Sequence, residues 1–411
     1  MKRRRRGGSS RHNDGNSSLC RARFGRFRIW ALMSAQLSLG TPQLNGQLRS
    51  APTAQRELVA SVRADELALT YPGPTLVLPS GSLALADLGT RRVLIVDSLG
   101  TRVTAIGGEG RAPGQLLSVD AMGAFSDSVL WVSDGNGGRL SRWSWRSLRY
   151  LSSTPLKDLT APRLPGGSWA IYSMDSASSV ILTEFKPELA RPDERTLTRL
   201  VMRRSDGSVQ PLGTYTWGPT SLLFDQGRTL ITFQPFSDNP IYARSTDGRR
   251  MVVIQRRLGA DRALRLTWYD GSRGSADSAR LDLPLFRLTR RVVDSAARSF
   301  ARETWQSMGY SSETKLVAEV RAGLVTPTYL PQVGRAVMDR RGGSVWLESV
   351  PGRGRTSTWL QFDFARRAIS RRLQLSTQEI LIAADSSIIW TAVELESGEV
   401  GVQRHRLTTV P

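Results

Sequence analysis

The sequence predicts an all-β chain, a six-bladed β-propeller with one inserted helix. Three observations carry that expectation. Short apolar runs bounded by Gly, Asp, Asn or Ser recur along most of the chain, as half-buried strands require. The pattern returns every 40–50 residues or about that, the period of blade repeats. The composition, with 37 glycines, 20 prolines and 11 tryptophans in 411 residues, suits many short strands joined by turns. That length is large for one domain, but all-β rings are an accepted exception.

The chain opens on a basic tail. From Met1 to Arg28 there are ten basic residues (Lys2, Arg3–Arg6, Arg11, Arg21, Arg23, Arg26, Arg28) and one acid, Asp14. An apolar run of about twelve residues, Ile29 to Gly40, follows, with Ser38 and Gly40 small at alternate positions. Basic segment, short apolar segment, then small residues is the order of a secretory signal peptide. Cleavage is expected near Gly40–Thr41. The run is shorter than the roughly 20 residues a spanning helix needs, so no transmembrane span is expected. Export makes the mature protein periplasmic or secreted; without it the chain is cytoplasmic. Residues 41–64 are polar with little periodicity and read as a linker. The strand Glu66-Leu67-Ala68-Leu69-Thr70 is expected to join the last blade and fasten the ring, removing an exposed sheet edge.

The propeller is expected over 65–411. Ser82–Asp87, Val93–Asp97 and Arg102–Ile106 read as three strands separated by tight turns, an antiparallel meander. Gly107 to Leu116 reads as a Gly-rich exit loop. Leu130–Asp134, an Asp-Gly-Asn-Gly turn and Arg139–Trp143 repeat the pattern. Loose boundaries place blades at about 76–117, 118–158, 159–238, 239–289, 331–376 and 377–411. The third includes extra strands near Ser221–Phe224 and Thr229–Phe233. Val292/Val293, Ala296/Ala297, Phe300 and Thr304/Trp305 recur at helical spacing before Gly309, so about 289–308 reads as an inserted helix. It would be a lid or docking element over one face, or a helix packed on a blade edge.

These repeats resemble those of NHL-type six-bladed propellers. The match is good at Ala86-Asp87, Arg92 and Asp97, and again at Ser133-Asp134, Asn136 and Arg139. Pro113-Gly114-Gln115-Leu116 resembles that family's inter-blade loop. Arg335–Asp339, Ser344–Glu348 and Thr358–Asp363 resemble late blades of exported bacterial six-bladed propellers. The resemblance covers about 150 residues and fades between Leu156 and Pro331. Its motifs specify blades and imply no single activity.

Charge and chemistry narrow the function. The net charge is +21, but the tail accounts for +9, leaving +12 on the rest. Only four of the 57 basic residues are lysines, an arginine bias that codon usage explains as well as phosphate binding does. Nucleic acid is therefore a disfavoured partner, although a basic NHL-type face could bind RNA with steep salt dependence. Cys20 is alone, which excludes an intrachain disulfide, and the only histidines are His12 and His405. A Ser–His–Asp triad or a Cys/His zinc site has almost no material. A hard cation such as Ca²⁺, held by oxygen ligands, is left open.

Asp87, Asp97 and Asp134 end strands before turns, where aspartate bonds its own backbone. Arg92 and Arg139 are expected to pair across turns or blades. The Gly107-Gly108-Glu109-Gly110 run lacks the Lys-Ser/Thr of a phosphate loop. Trp131, Trp143, Trp145, Trp169, Trp217, Trp268, Trp346, Trp359 and Trp390 read as inter-blade packing, some of them able to line a sugar-binding surface. Asp282, Glu303, Glu348 and Asp385 sit at loop or strand ends, where propeller hydrolases collect carboxylates to hold Ca²⁺. The sequence does not fix which of them point inward. No catalytic or cofactor-binding residue is assigned. The expected function is a non-enzymatic extracytoplasmic binding propeller, monomeric, for an unknown protein, peptide or glycan. The alternatives are a Ca²⁺-dependent hydrolase, lactonase or lyase, and an RNA-binding propeller.

Overall fold

The computed structural model describes residues 51–409 apart from 126, 161–167, 175–179, 186–195, 205, 219–221, 225–228, 232–233, 257–262, 272–274, 307, 351–355 and 396. The basic tail, the expected signal peptide and Cys20 lie outside the described residues, as does the side chain of Trp169.

Among the described residues the first strand, β1 (Ala54–Val62), is followed by a short helix, α1 (Ala64–Leu67). Next comes a meander of β2 (Pro72–Val77), β3 (Leu83–Asp87), β4 (Arg92–Val96) and β5 (Val103–Gly107). A second meander comprises β6 (Ala121–Ala124), β7 (Val129–Asp134), β8 (Arg139–Ser144) and β9 (Arg149–Pro155), capped by α2 (Leu156–Thr160). The third is β10 (Ser168–Met174), β11 (Val180–Phe185), β12 (Thr196–Arg203) and β13 (Val209–Trp217). A separate hairpin, β14 (Leu222–Phe224) and β15 (Thr229–Ile231), precedes the fourth meander. That meander is β16 (Ile241–Arg244), β17 (Arg250–Gln255), β18 (Leu264–Asp270) and β19 (Ser275–Leu281).

Two helices interrupt the repeats, α3 (Arg290–Thr304) and α4 (Glu313–Gly323). The fifth meander is β20 (Val333–Met338), β21 (Ser344–Ser349), β22 (Thr356–Asp363) and β23 (Ala368–Ser376). The sixth sheet joins β24 (Glu379–Asp385), β25 (Ile388–Glu394) and β26 (Val400–Thr409) to β1, in the order β1-β26-β25-β24.

Two expectations are corrected here. The strand that fastens the last sheet is Ala54–Val62, inside the segment read as linker, while Ala64–Leu67 is helical. The polar residues of β1 misled because an outermost strand faces solvent on most of its length: Gln55, Glu57, Leu58, Val59 and Ser61 are exposed. A bulge between Leu58 and Ala60 also breaks the alternation of the strand. The single inserted helix is in fact a pair. Ser312 caps the second helix by accepting a bond from the Lys315 N–H. Only Leu316 and Val320 of that helix are buried, too few for a periodic signal.

The core is a circle of sheet-on-sheet contacts. Val93 and Ile95 of the first sheet meet Leu130, Val132 and Trp143 of the second. Trp131 and Leu140 meet Val201 of the third. Leu200 and Met202 meet Met251, Val253 and Tyr269 of the fourth. Val252, Ile254 and Leu266 meet Val345, Leu347 and Phe362 of the fifth. Trp346, Trp359 and Leu373 meet Leu381 and Ile389 of the sixth. Trp390 and Val402 return to Leu83, Leu94 and Val96 of the first. Every four-stranded sheet thus buries both faces against its neighbours, which no sheet could do alone. A fully buried tryptophan removes roughly 150–250 Å² from water, the largest payload any side chain offers.

Each of the first five four-stranded sheets is a meander, so its outermost strand ends on the face where the next innermost strand begins. The β14–β15 hairpin and the helix pair both lie in such crossovers, before and after the fourth sheet. They also touch each other. Phe236 packs among Val293, Phe300, Leu316 and Val320, and the Gln234 side chain donates to the Gly323 carbonyl at 3.0 Å and accepts from the Val325 N–H at 3.0 Å.

Candidate functional site: the axial pocket

The innermost strands β2, β16, β20 and β24 enclose a cavity of about 530 Å³. Pro72, Pro74, Leu76, Ile241, Met251, Val337, Ile380 and Ile382 give it an apolar wall. Three of these strands depart from regular pairing within the lining. The register slips between Pro72 and Thr75, between Val333 and Ala336, and between Leu381 and Ala383. A bulge of this kind bends the strand and re-aims a side chain. Here the bulges fall at Gly73-Pro74, Gly334-Arg335 and Ile382. The Thr75 hydroxyl donates to the Ile382 carbonyl and ties two of them together.

One end of the cavity is shut. Thr246, just past β16, donates its hydroxyl to the Val77 carbonyl at 2.9 Å. Its N–H donates to the Arg340 carbonyl at 3.1 Å, and its own carbonyl accepts from the Ala124 N–H at 2.8 Å. Arg340 N–H in turn donates to the Ala384 carbonyl at 2.9 Å. The ends of β2, β6, β16, β20 and β24 are thereby knotted together by backbone groups that would otherwise be orphaned. The mouth is at the opposite end, where the inner strands begin and the crossover insertions emerge.

Buried polar and aromatic groups pack around β16 and its neighbours. Arg256 donates to the Asn239 carbonyl at 2.6 Å and to the Val333 carbonyl at 3.1 Å, linking the starts of β16 and β20. Burial pushes its guanidinium down to about 10, with Asp238 opposing the shift. Tyr242 stacks on Trp217 with ring centroids 6.0 Å apart, and the Trp217 indole donates to its hydroxyl at 3.2 Å. Behind them the Tyr215 and Tyr269 hydroxyls share a hydrogen bond. Burial, then that bond, raises the Tyr215 phenol above its ordinary range.

Charge in the lining comes from two arginines, Arg244 and Arg335, and the lining includes no carboxylate. Arg244 donates to the Met122 carbonyl and lies over the Trp131 ring, 5.4 Å from its centroid. Arg335 sits on its bulge with Nε 3.6 Å from Oε2 of Glu348 on the neighbouring strand β21. Gly334 makes that approach possible, since a Cβ there would come within 3.0 Å of the same oxygen. Burial raises the Glu348 carboxyl above the usual carboxylate range, and Arg335 opposes the shift. Glu348 Oε2 is buried and has no hydrogen-bond partner.

The four carboxylates singled out in the sequence do not converge. Asp282 follows the outer strand β19 and is exposed, and Glu303 is exposed on α3. Asp385 closes β24 and pairs with Arg340 at 2.9 Å, by the shut end. Only Glu348 stands beside the pocket. Among the described residues, no group of three His, Cys, Asp or Glu side chains could hold a metal ion.

The turn aspartates have structural work. Asp87 accepts from the N–H groups of Tyr71 at 2.9 Å and Gly89 at 3.1 Å. Asp134 accepts from those of Leu117, Ser118 and Gly137 at 3.1, 2.8 and 2.8 Å. Arg92 and Arg139 each lie 3.6 Å from those carboxylates. Arg139 also donates to the Arg111 and Gln115 carbonyls at 2.9 and 2.8 Å, clamping the Gly-rich crossover. In that crossover the Gly110 N–H donates to the Leu116 carbonyl and the Gly108 N–H to the Arg91 carbonyl in the turn before β4, so both are already used. Trp131, Trp143, Trp346, Trp359 and Trp390 are fully buried between sheets, whereas Trp217 and Trp268 are half-buried. The sequence reading missed Tyr242, Arg244, Thr246 and the role of Arg335. The available signal was an arginine within an apolar strand, at Arg244 and Arg335.

A ring of antiparallel sheets, fastened by β1 around an axial pocket, defines a β-propeller. No protein-family model matches the chain, and no curated protein matches it. Solved structures similar to it include a Bacteroides fragilis protein assigned as exported (TM-score 0.49, 9% identity, 90% of this chain and 98% of that one). A PQQ-bound aldose sugar dehydrogenase from Streptomyces coelicolor is also similar (0.40, 11%, 87% and 100%). So is an oligogalacturonate lyase from Vibrio parahaemolyticus (0.39, 8%, 86% and 97%).

Proposed function

We propose that this chain is an extracytoplasmic binding propeller of six blades, of the NHL-like type, which takes a ligand in its axial pocket without transforming it. The observation that carries the reading is the form of the pocket. At about 530 Å³, shut at one end and walled by apolar side chains with a few polar groups, it has the size and chemistry of small-molecule sites. The bulges in three lining strands place irregular backbone where a ligand would sit. Export is supported by the order of basic, apolar and small residues over 21–40. Among the described residues no helix is long and apolar enough to cross a membrane.

The experiment is the melting temperature of the full chain in EDTA and then in millimolar Ca²⁺, alongside hydrolysis of lactone and ester substrates. A ligand that binds only the folded state raises stability by about 2.7 kcal/mol at a hundred times its Kd. The expected result is no Ca²⁺-dependent rise and no turnover. A rise of several degrees with Ca²⁺-dependent turnover would transfer the protein to the metal-dependent hydrolase reading.

A further inference from the structure

We propose that the axial pocket takes a neutral small molecule of mainly hydrocarbon character and turns away organic ions and sugars. This deepens the reading of the pocket as a binding site and rests on it. Pro74, Ile241, Val337 and Ile382 lie on the innermost strands of four different sheets, yet each keeps part of its surface uncovered. All four line the cavity, so four sheets present unfilled apolar surface to one space.

The polar side chains of the lining are already engaged with the protein. The Thr75 and Thr246 hydroxyls donate to the Ile382 and Val77 carbonyls. The Ser245 hydroxyl donates to the Asp247 carboxylate at 2.6 Å and accepts from the Arg250 N–H at 3.0 Å. The Tyr242 hydroxyl accepts from the Trp217 indole. Arg244 is held by the Met122 carbonyl and the face of Trp131. Arg335 lies 3.6 Å from Glu348 and is engaged elsewhere as well. An apolar cavity whose polar groups are spoken for holds water poorly and admits hydrocarbon. Each polar class of ligand meets its own obstacle. An anion has to break the contacts that hold Arg244 or Arg335. A cation meets two guanidinium groups and no carboxylate in the lining. A sugar has to strip water from several hydroxyls that the engaged side chains do not replace. A neutral hydrocarbon body breaks no contact and gains by leaving water.

The test is fluorescence titration of the full chain at pH 7 with N-phenyl-1-naphthylamine and with its 8-sulfonate, which carries an anion on the same skeleton. Glucose is titrated by calorimetry. The amine is expected to saturate at one molecule per chain and to bind at least about tenfold more tightly than the sulfonate, with no heat from glucose. Val337→Gln sets an amide in the wall and is expected to weaken the amine at least about tenfold. Should that variant lose its near-ultraviolet circular dichroism, Ile382→Gln makes the same change on another strand, with the same result expected. Sulfonate or glucose binding as tight as that of the amine, and sensitive to Val337→Gln, overturns the neutral ligand while leaving the pocket as a binding site. Amine binding that survives both substitutions in folded protein lies elsewhere on the surface and overturns the proposal. No binding by any of the three probes overturns both readings.

Discussion

His405 lies on β26 inside the closing sheet, buried, with Nε2 3.3 Å from the Thr391 hydroxyl and Nδ1 without a partner. Burial, then the nearby Arg56 charge, lowers its pKa, and Glu379 opposes the shift. A base whose folded pKa is depressed favours the folded state only while neutral. Its contribution is complete above the unfolded value near 6.5 and fades as pH falls through that value towards the lower folded one. The melting temperature should therefore drop between pH 7 and pH 5, and His405→Gln should flatten that part of the profile. An unchanged slope would remove His405 as its cause. Asp134 offers a second residue-scale prediction. It accepts three backbone N–H bonds while fully buried. Asp134→Ala should cost roughly 3 kcal/mol in chemical denaturation, because the orphaned donors stay buried. A loss under 1 kcal/mol would mean that water replaces the carboxylate. Asp134 was legible in the sequence as a turn residue, since the turn is local. Thr246 was not, because its partners Val77, Ala124 and Arg340 come from distant parts of the chain.

At the scale of elements, the closing strand decides most. β1 pairs with β26 from Ala54 to Val62, and Arg56 forms a double contact with Glu379 at the start of β24. Just before it, the Ala51 and Pro52 carbonyls accept from Arg372 at 2.8 and 2.9 Å, so the same segment also holds the edge of the fifth sheet. A chain beginning at Ala64 should lose its cooperative melt and aggregate through the bared edge of β26. Equal melting temperatures for the two chains would show that the strap is dispensable. The shut end of the pocket depends on one hydroxyl in the same way. Thr246→Val keeps the shape but removes the bond to Val77, and should cost about 1–2 kcal/mol by leaving that carbonyl unpaired. The meanders were readable because each pairs neighbours in sequence across tight turns. The strap was not, since its partner lies at the other end of the chain.

For the whole molecule, stability belongs to the circle of interfaces. Trp131 fills one gap between sheets and Trp390 another on a different side of the ring. Trp131→Ala and Trp390→Ala should each cost about 3–5 kcal/mol, as large-to-small changes in a packed core do. Both should lower one shared calorimetric transition. Two separated transitions would show that sheets melt independently and that closure adds no cooperativity.

The sequence by itself determined the strands, their turns, the aspartates that set those turns and the periodic helix, because these follow from contacts between residues close along the chain. It also indicated that Trp131, Trp143, Trp346, Trp359 and Trp390 would be buried, since apolar alternation in a strand points them at a neighbouring sheet, although Trp217 and Trp268, read the same way, are only half-buried. Only the tertiary structure decided which strand fastens the ring, that a second helix joins the first, and that the four candidate carboxylates stay apart. The same holds for the pocket. Arg335 and Thr246 acquire their roles from bulges and strand ends on several sheets, and the distances between such elements are set by ring closure, to which no local pattern in the sequence is sensitive.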